Sequence, residues 1–169
     1  QLVNNSHIFV YTLKKSLSDT ILYNEDMVVE KYGFKPEYIV DYKGLRGDAS
    51  DNIIGIAGVG EKTATTLIQS YGSIENIYKA LKKDFAGFRA KTGLSERLTN
   101  LIKDSEDEAI FSKTLATIRH DAPIDFNIDE CDFRKNIDTA KLREVFTRLE
   151  FRSLVNKVDD LKNGTNTVS

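Results

Sequence analysis

Tryptophan, proline, histidine and cysteine are all scarce in this chain. Its 169 residues include no tryptophan, two prolines, two histidines and one cysteine, Cys131. A single cysteine excludes an internal disulfide and any cysteine-based zinc cluster. No apolar run approaches the roughly 20 residues that a membrane helix needs, and no secretory signal is visible. We therefore expect a cytoplasmic globular protein with no membrane partner, and the first residue, Gln1, indicates a processed chain or a fragment.

The composition that remains is 40% hydrophobic and 30% charged, which suits a packed core under a charged surface. A formal net charge of −2 hides an asymmetry. Residues 31–103 hold twelve Lys and Arg against eight Asp and Glu, whereas the rest of the chain holds twelve against eighteen. A locally basic face can bind a phosphate backbone, although a mixed solvated surface explains the same surplus.

The pattern of residues predicts a mainly α fold that begins with a short β-hairpin or sheet edge. Residues 7–12 and 19–23 are rich in β-branched and aromatic side chains and are predicted strands, with Lys14-Lys15-Ser16 between them. Because two short strands do not form an independent sheet, we expect them to be the end of a larger one.

Apolar spacing and capping residues predict seven helices after the hairpin. They are expected over 25–32 after Asn24, from Pro36 to Gly47, over about 61–71, from Ser73, across 94–102, from Ser105 in an S-x-x-E capping box, and from Asp138. Residues 82–93 are expected to form a basic connector and residues 158–169 a disordered tail. No internal repeat is evident.

The first candidate site is the carboxylate pair Asp48 and Asp51. Two acids at this spacing can share one face of a helical turn and hold a hard divalent cation, which prefers oxygen ligands. A helix C-terminal side does not favour anions, so a metal would explain their presence. The commoner explanation of a D-x-x-D is a cap or a surface ion pair, and a two-metal hydrolytic site needs more carboxylates.

The second candidate site is the turn Ile56-Ala57-Gly58-Val59-Gly60, which precedes a predicted helix. The pattern h-x-G-h-G-x-x-T-A-x-x-L-h, where h is apolar, is specific, because apolar residues seat the turn while glycines let a phosphate approach the backbone. The candidate nucleic-acid-binding residues are Gly58, Val59, Gly60, Lys62 and Thr63. A tight helix–helix connection without a ligand would also need these glycines.

The remaining polar residues give weaker indications of function. A duplex backbone could follow the cationic side chains of the predicted connector and of the helix before it, but a solvated connector explains them equally well. They are Lys79, Lys82, Lys83, Arg89 and Lys91. His7 and His120 have no partner at metal-ligand spacing, and Cys131 is expected to be inert.

The run Asp41-Tyr42-Lys43-Gly44-Leu45-Arg46-Gly47-Asp48-Ala49-Ser50-Asp51-Asn52-Ile53, with Gly55 to Ala64 after it, resembles the 5′→3′ exonuclease family. That family includes the N-terminal domain of bacterial DNA polymerase I and the flap endonucleases. Three flanking segments also resemble it: Glu30 to Pro36, Tyr71 to Glu75, and Leu149 to Leu154. The usual proline after G-D-x-S-D-N-I is Ile54 here, and Ile56-Ala57 is a further mild departure.

The resemblance implies a division into residues 1–24, the end of an α/β nuclease sheet, and residues 25–157, a helical domain with a helix–three-turn–helix motif. That motif is helix-hairpin-helix-like and binds DNA. Most metal-binding acids would lie in an N-terminal nuclease half outside this chain, in the same or a separate chain. Asp48 and Asp51 would hold a second Mg²⁺ or Mn²⁺, and K⁺ would bind near Ile56 to Val59.

The resemblance therefore implies the DNA-binding and second-metal half of an enzyme that hydrolyses phosphodiesters in duplex DNA with a 5′ end or flap. We expect this chain alone to bind DNA weakly and to cut it poorly. Two alternatives stay open on the residues: a non-catalytic helix-hairpin-helix-type DNA-binding module, and a helical interaction domain that binds no nucleic acid.

Overall fold

The computed structural model describes residues 1–4, 7–16 and 18–163. The chain divides into two compact units, Gln1–His120 and Asp121–Ser169. Across the described ranges, no helix is long and apolar enough to cross a membrane.

The first unit begins with the predicted hairpin. Strands β1 (Val10–Ser16) and β2 (Asp19–Tyr23) pair in antiparallel register, with Val10 opposite Tyr23 and Leu13 opposite Thr20. The first strand begins later than expected and includes Lys14 to Ser16, which were predicted to connect the strands. Every residue of β1 is exposed.

Helices make up most of the rest of the first unit, so the predicted mainly α fold is confirmed. Their bounds are α1 (Glu25–Tyr32), α2 (Ile39–Arg46), α3 (Glu61–Tyr71), α4 (Ile74–Lys83), α5 (Phe85–Thr92), α6 (Glu96–Asp104) and α7 (Glu106–Ala116). Single 3₁₀ turns lie at Pro36–Tyr38 and Ala49–Asp51. The predicted helix–three-turn–helix is α2, the turns after it, and α3.

The predicted apolar stripes form the core of this unit. Ala64, Leu67 and Ile68 of α3 are at most 2% exposed, because their spacing places them on one helix face. The stripe of α4 is buried in the same cluster, which comprises Phe34, Tyr42, Leu45, Ile56, Val59, Ala64, Leu67, Ile68, Ile74, Ile77, Tyr78, Leu81, Phe88, Ile102 and Ala109. The core therefore includes both Ile56 and Val59, the apolar residues of the glycine turn.

Helices α2 and α7 approach closely at Gly44. A Cβ atom there would lie 2.7 Å from Ile74 Cδ1 and 3.1 Å from the carbonyl oxygen of Ala109. The missing side chain thus lets α7 lie directly against α2.

A buried ion pair joins three of these helices. Asp41 of α2 is 3% exposed, and its Oδ1 accepts the backbone N–H of Ile74 at the start of α4, at 2.8 Å. Lys113 of α7 donates to the same oxygen at 2.6 Å and reaches Glu75 at 2.8 Å. Because a buried charge requires a partner and hydrogen bonds, this network fixes α2, α4 and α7 together.

Two expectations for the helices of the first unit were wrong. Residues 82–93 contain helix α5, capped by the Asp84 side chain and ended by Gly93 at φ 70°, because Phe88 packs into the core and stacks on Tyr71 at 5.1 Å. Helix α7 begins where the capping box was expected, but the Ser105 side chain makes no capping hydrogen bond. Ser105 instead ends α6, with its backbone at φ −110° and ψ 32°.

The second unit is built from short helices. They are α8 (Phe133–Asn136), α9 (Thr139–Arg148), α10 (Arg152–Val155) and α11 (Val158–Asn163), after a 3₁₀ turn at Ile128–Cys131. Asp138 caps α9 as predicted, and Arg143 of that helix is bonded to Asp159. Helix α11 lies in the segment predicted to be a disordered tail, and the remainder of that segment, 164–169, lies outside the described residues.

Candidate metal and nucleic-acid site

The loop from Gly47 to Ile56, which carries the carboxylate pair, is held by backbone contacts. Gly47 ends α2 at φ 82° and Gly55 has φ 68°, both in the left-handed region that favours glycine. Asp48 and Ile53 exchange two backbone hydrogen bonds of 2.8 and 2.9 Å, and Ile56 N–H donates to Leu45 at 2.9 Å. The loop is therefore closed on itself and joined back to α2.

A second anchor comes from α7. The backbone N–H of Gly55 donates to Ser112 Oγ at 3.1 Å in a buried position. The same helix is joined to α2 through Lys113 and Asp41. The loop thus takes its position from two helices that are themselves linked.

The carboxylate pair lies around one ammonium group. Lys43 Nζ is 2.6 Å from Asp48 Oδ2 and 3.5 Å from Asp51 Oδ2. The other Asp48 oxygen accepts the N–H and the hydroxyl of Ser50, at 3.0 and 2.6 Å. These hydrogen bonds, from Lys43 first, hold the pKa of the Asp48 carboxyl well below its usual range. The hydrogen bond to Asp48 in turn raises the pKa of Lys43 above its ordinary value.

The two acids are close together, as the sequence predicts, but not on one turn of α2. That helix ends at Arg46, and Asp48 is the extended N-cap residue of the separate turn Ala49–Asp51. Asp48 is partly buried, with 19% of its side chain exposed, whereas Asp51 is 59% exposed. Within the part of the chain that the structure describes, no three His, Cys, Asp or Glu residues cluster as metal ligands.

Lys43 is the residue that sequence reasoning missed at this site. It occurs in the quoted run, but its role depends on the reversal of the chain at Gly47, which the spacing of residues does not reveal. An i, i+5 spacing of Lys43 and Asp48 would place them on different sides of a continuous helix. The turn instead brings Asp48 back beside α2.

A cleft of about 550 Å³ opens beside Asp48. On its wall, Arg46 donates to the Tyr42 hydroxyl at 3.3 Å and lies 5.6 Å from the centre of that ring. Lys43 lines the same cleft. The cleft beside Asp48 is therefore lined by two cations, Lys43 and Arg46.

The glycine turn follows directly. Gly58 has φ 92°, and the N–H of Val59 donates to the carbonyl oxygen of Ile56 at 3.0 Å. Ile56 and Val59 are 2% and 4% exposed, so they seat the turn as predicted. Gly58 and Gly60 are exposed.

The predicted DNA-binding residues lie together at the start of α3. Gly60 is its N-cap residue, and a Cβ added to Gly60 would meet no atom within 4 Å. Lys62 is exposed and Thr63 half-buried in the first turn of the helix. Backbone N–H groups and a cation can approach an anion here without steric obstruction.

The predicted row of cations does not form one open surface. Lys82 pairs with Glu106 at 2.6 Å, and Arg89 pairs with Glu96 at 3.1 Å. Lys91 donates to the carbonyl oxygen of Ser70 and lies over the Tyr71 ring. Lys79 and Lys83, one turn apart on α4, remain exposed with no ion pair among the described residues.

Comparisons with known proteins show the family to which the chain belongs. Residues 34–139 match the family described as 5′-3′ exonuclease, C-terminal SAM fold. DNA polymerase I of Bacillus caldotenax is 37% identical over 153 residues, which cover 90% of this chain and 16% of that protein. DNA polymerase I of Bacillus subtilis (strain 168) is 35% identical over 147 residues, covering 87% and 16%.

A thermophile provides a third relative. The thermostable DNA polymerase I of Thermus thermophilus is 38% identical over 130 residues, which cover 76% of this chain and 14% of that protein. The chain spans about a sixth of the length of the curated relatives it matches.

Proposed function

Because the chain belongs to the 5′-3′ exonuclease, C-terminal SAM fold family, we propose that it is the DNA-binding and second-metal half of a nuclease. The enzyme would hydrolyse phosphodiesters in duplex DNA at a 5′ end or flap, in the cytoplasm. An N-terminal nuclease half, in the same or a separate chain, would supply the remaining catalytic acids.

One observation supports this proposal most directly: the carboxylate pair and the glycine turn lie on one continuous segment that hydrogen bonds hold to α2 and α7. Hydrogen bonds from Ile56 to Leu45 and from Gly55 to Ser112 hold the loop between Asp51 and Gly58. A strand gripped at the turn would therefore lie at a fixed distance from the carboxylates. Fixed positioning of a substrate is a large part of what a nuclease must supply.

The residues at the carboxylate pair fit a divalent metal in kind. Asp48 and Asp51 offer the oxygen donors that Mg²⁺ or Mn²⁺ prefers, and such ions, when bound, activate water and stabilise the leaving oxygen. Lys43 shares those oxygens, so it must turn aside or remain as a neighbouring cation. This chain's part is to present both carboxylates to the ion.

The glycine turn would bind the duplex through its backbone. Gly58, Val59 and Gly60 would present N–H groups to a phosphate, while Lys62 and Thr63 would bind at its edge without reading sequence. K⁺ would bind carbonyl oxygens near Ile56 to Val59. The Ile56 carbonyl oxygen already accepts one N–H and keeps a second lone pair for such an ion.

Asparagine substitution of the carboxylates tests the proposal in the intact protein. Asp48→Asn and Asp51→Asn should lower Mg²⁺-dependent cleavage of 5′-flapped DNA by at least about a hundredfold, because a metal supplies several kcal/mol to the transition state. Duplex affinity, measured by anisotropy in EDTA, should persist. Asp104→Asn, an exposed acid on α6, is the matched control, and unchanged cleavage by both site variants would refute the metal role.

The alternative is a non-catalytic helix-hairpin-helix-type DNA-binding module, which the contacts of Lys43 favour. Its ammonium and Ser50 already satisfy Asp48, as in an ordinary structural ion pair. In such a module Asp48→Asn would loosen the loop but remove no activity. The 169-residue chain by itself should bind duplex DNA weakly and cleave it poorly under either function, and cleavage by it as fast as by a full-length relative would contradict that expectation.

A further inference from the structure

The first unit contains a second turn that repeats the pattern of the glycine turn. Residues 58–62 read Gly-Val-Gly-Glu-Lys, and residues 93–97 read Gly-Leu-Ser-Glu-Arg. Gly58 and Gly93 both have positive φ, 92° and 70°, and each run leads straight into a helix, α3 or α6. The sequence alone did not reveal this repeat, because only glycine and glutamate are identical in the two runs.

The repeat continues into the two helices. Four residues after Gly60, Ala64 is fully buried, and four residues after Ser95, Thr99 is fully buried. Three residues further on, Leu67 and Ile102 are again both 0% exposed. The two helices therefore bury the same face relative to their turns.

The acidic residue of each turn is paired with an arginine of the preceding helix. Glu61 lies 3.9 Å from Arg46, in the last turn of α2, and Glu96 lies 3.1 Å from Arg89, in the last turn of α5. In each turn the arginine thus partly neutralises the charge of the glutamate. A phosphate near either turn would meet less repulsion than the sequence suggests.

The next residue in each turn is an exposed cation, Lys62 or Arg97. Neither side chain has an ion pair or a hydrogen-bond partner among the residues that the structure describes. This contrasts with Lys82, Arg89 and Lys91, which are all occupied by contacts within the chain. Lys62 and Arg97 are therefore available to a ligand.

The second turn also faces the first across a groove. Leu101, one helical turn after Arg97 on the same side of α6, reaches within 3.3 Å of where a Gly58 Cβ would lie. The groove has a volume of about 540 Å³ and is lined by Ala57, Gly58, Ser95, Arg97, Leu98 and Leu101. A strand held at Gly58 would thus pass close to Arg97.

We infer that this groove is a second contact for the phosphodiester backbone of DNA, with Arg97 as its phosphate-binding cation. The inference rests on the proposed function, since the first contact is the glycine turn. A guanidinium suits this role because it can donate two parallel hydrogen bonds to one phosphate. The two contacts together would hold two points of the backbone and thereby fix the direction of the strand.

Salt-dependent binding of a blunt duplex to the intact protein tests the inference. Arg97→Ala should weaken affinity several-fold and lower the slope of log K against log salt by roughly 0.9, the value for one lost phosphate contact. Lys62→Ala should do the same at the first turn. Arg97→Lys should keep most of the slope because it keeps the charge.

Lys103→Ala is the matched control, because Lys103 is an exposed cation on a different face of α6 and should leave the slope unchanged. If Arg97→Ala behaves like this control while Lys62→Ala weakens binding, the second contact is refuted and the proposed function stands. If the unaltered protein shows no salt-sensitive binding, both are refuted. Thermal melts of each variant identify any loss that comes from unfolding.

Discussion

The buried hydroxyl of Ser112 accepts the backbone N–H of Gly55 at 3.1 Å. The two residues are 57 positions apart in the chain. This one hydrogen bond joins the middle of α7 to the loop between the carboxylate pair and the glycine turn. It makes α7 part of the site although α7 carries none of the candidate ligands.

Ser112→Ala should therefore destabilise the protein more than its size suggests. The substitution leaves a buried N–H without an acceptor, which costs about 1–3 kcal/mol. Chemical unfolding of the chain measures the loss. Thr114→Ala is the control, because the exposed Thr114 hydroxyl donates to the Ile110 carbonyl oxygen of the same helix. Equal effects of the two substitutions would contradict a bracing role.

Alanine should destabilise the protein much more at one glycine of the site than at another. At Gly55, φ is 68° and a Cβ would lie 2.2 Å from the backbone nitrogen of Gly47, so Gly55→Ala should cost at least about 2 kcal/mol. At Gly60, φ is −90° and space is open, so Gly60→Ala should cost less than about 1 kcal/mol.

DNA affinity distinguishes the two glycines further. The methyl group of Gly60→Ala would stand where a phosphate approaches, so duplex affinity should fall although the fold persists. Circular dichroism and anisotropy on the same sample measure both. An unchanged affinity for Gly60→Ala would place the backbone contact elsewhere.

Lys113→Met should be strongly destabilising, because it removes the ammonium group that pairs with the buried Asp41 carboxylate and leaves that charge with the Ile74 N–H. Removing one member of a buried pair costs about 3 kcal/mol. Glu75→Gln removes the exposed partner of the same lysine and should cost less than about 1 kcal/mol. Urea unfolding compares the two, and similar losses would show that Asp41 is not the dependent partner.

Glu75 should also contribute to acid sensitivity. Partial burial by itself raises the pKa of Glu75, but hydrogen bonds from Lys113, from its own backbone N–H and from Ser73, together with the charge of Lys113, outweigh it and lower the pKa below its ordinary 4.5. A carboxyl with a lowered pKa stabilises the fold above its ordinary value and loses that contribution as the pH falls through the folded pKa. Unfolding free energies between about pH 6 and pH 3 should fall less steeply for Glu75→Gln than for the unaltered chain.

Helix α3 and the glycine turn could be predicted from sequence because their signals are local. Ala64 and Leu67 are apolar residues at helical spacing, and Gly58 is flanked by apolar residues on both sides. Helix α5 was not predicted, because its stripe consists of little more than Phe85 and Phe88 among small and basic residues. Its folding depends on the ring of Tyr71, contributed by another helix.

The site was predictable in part for the same reason. The nearness of Asp48 and Asp51 follows from their spacing, but the ammonium of Lys43 between them follows from the turn at Gly47. Likewise, the similarity of the second turn to the first becomes visible only through φ angles, ion pairs and buried faces. Such features depend on contacts distant in sequence, which patterns of residue types do not record.

The position of the site depends on the close contact between α2 and α7 at Gly44. Any side chain there would press on Ile74 and on Ala109 and Lys113 of α7, so that helix would have to shift away from α2. Ser112 would be carried away from Gly55, and the loop would lose its outer support. The alignment of carboxylates with the glycine turn thus depends on a hydrogen atom located in the helix interface, where a methyl group would act as a wedge.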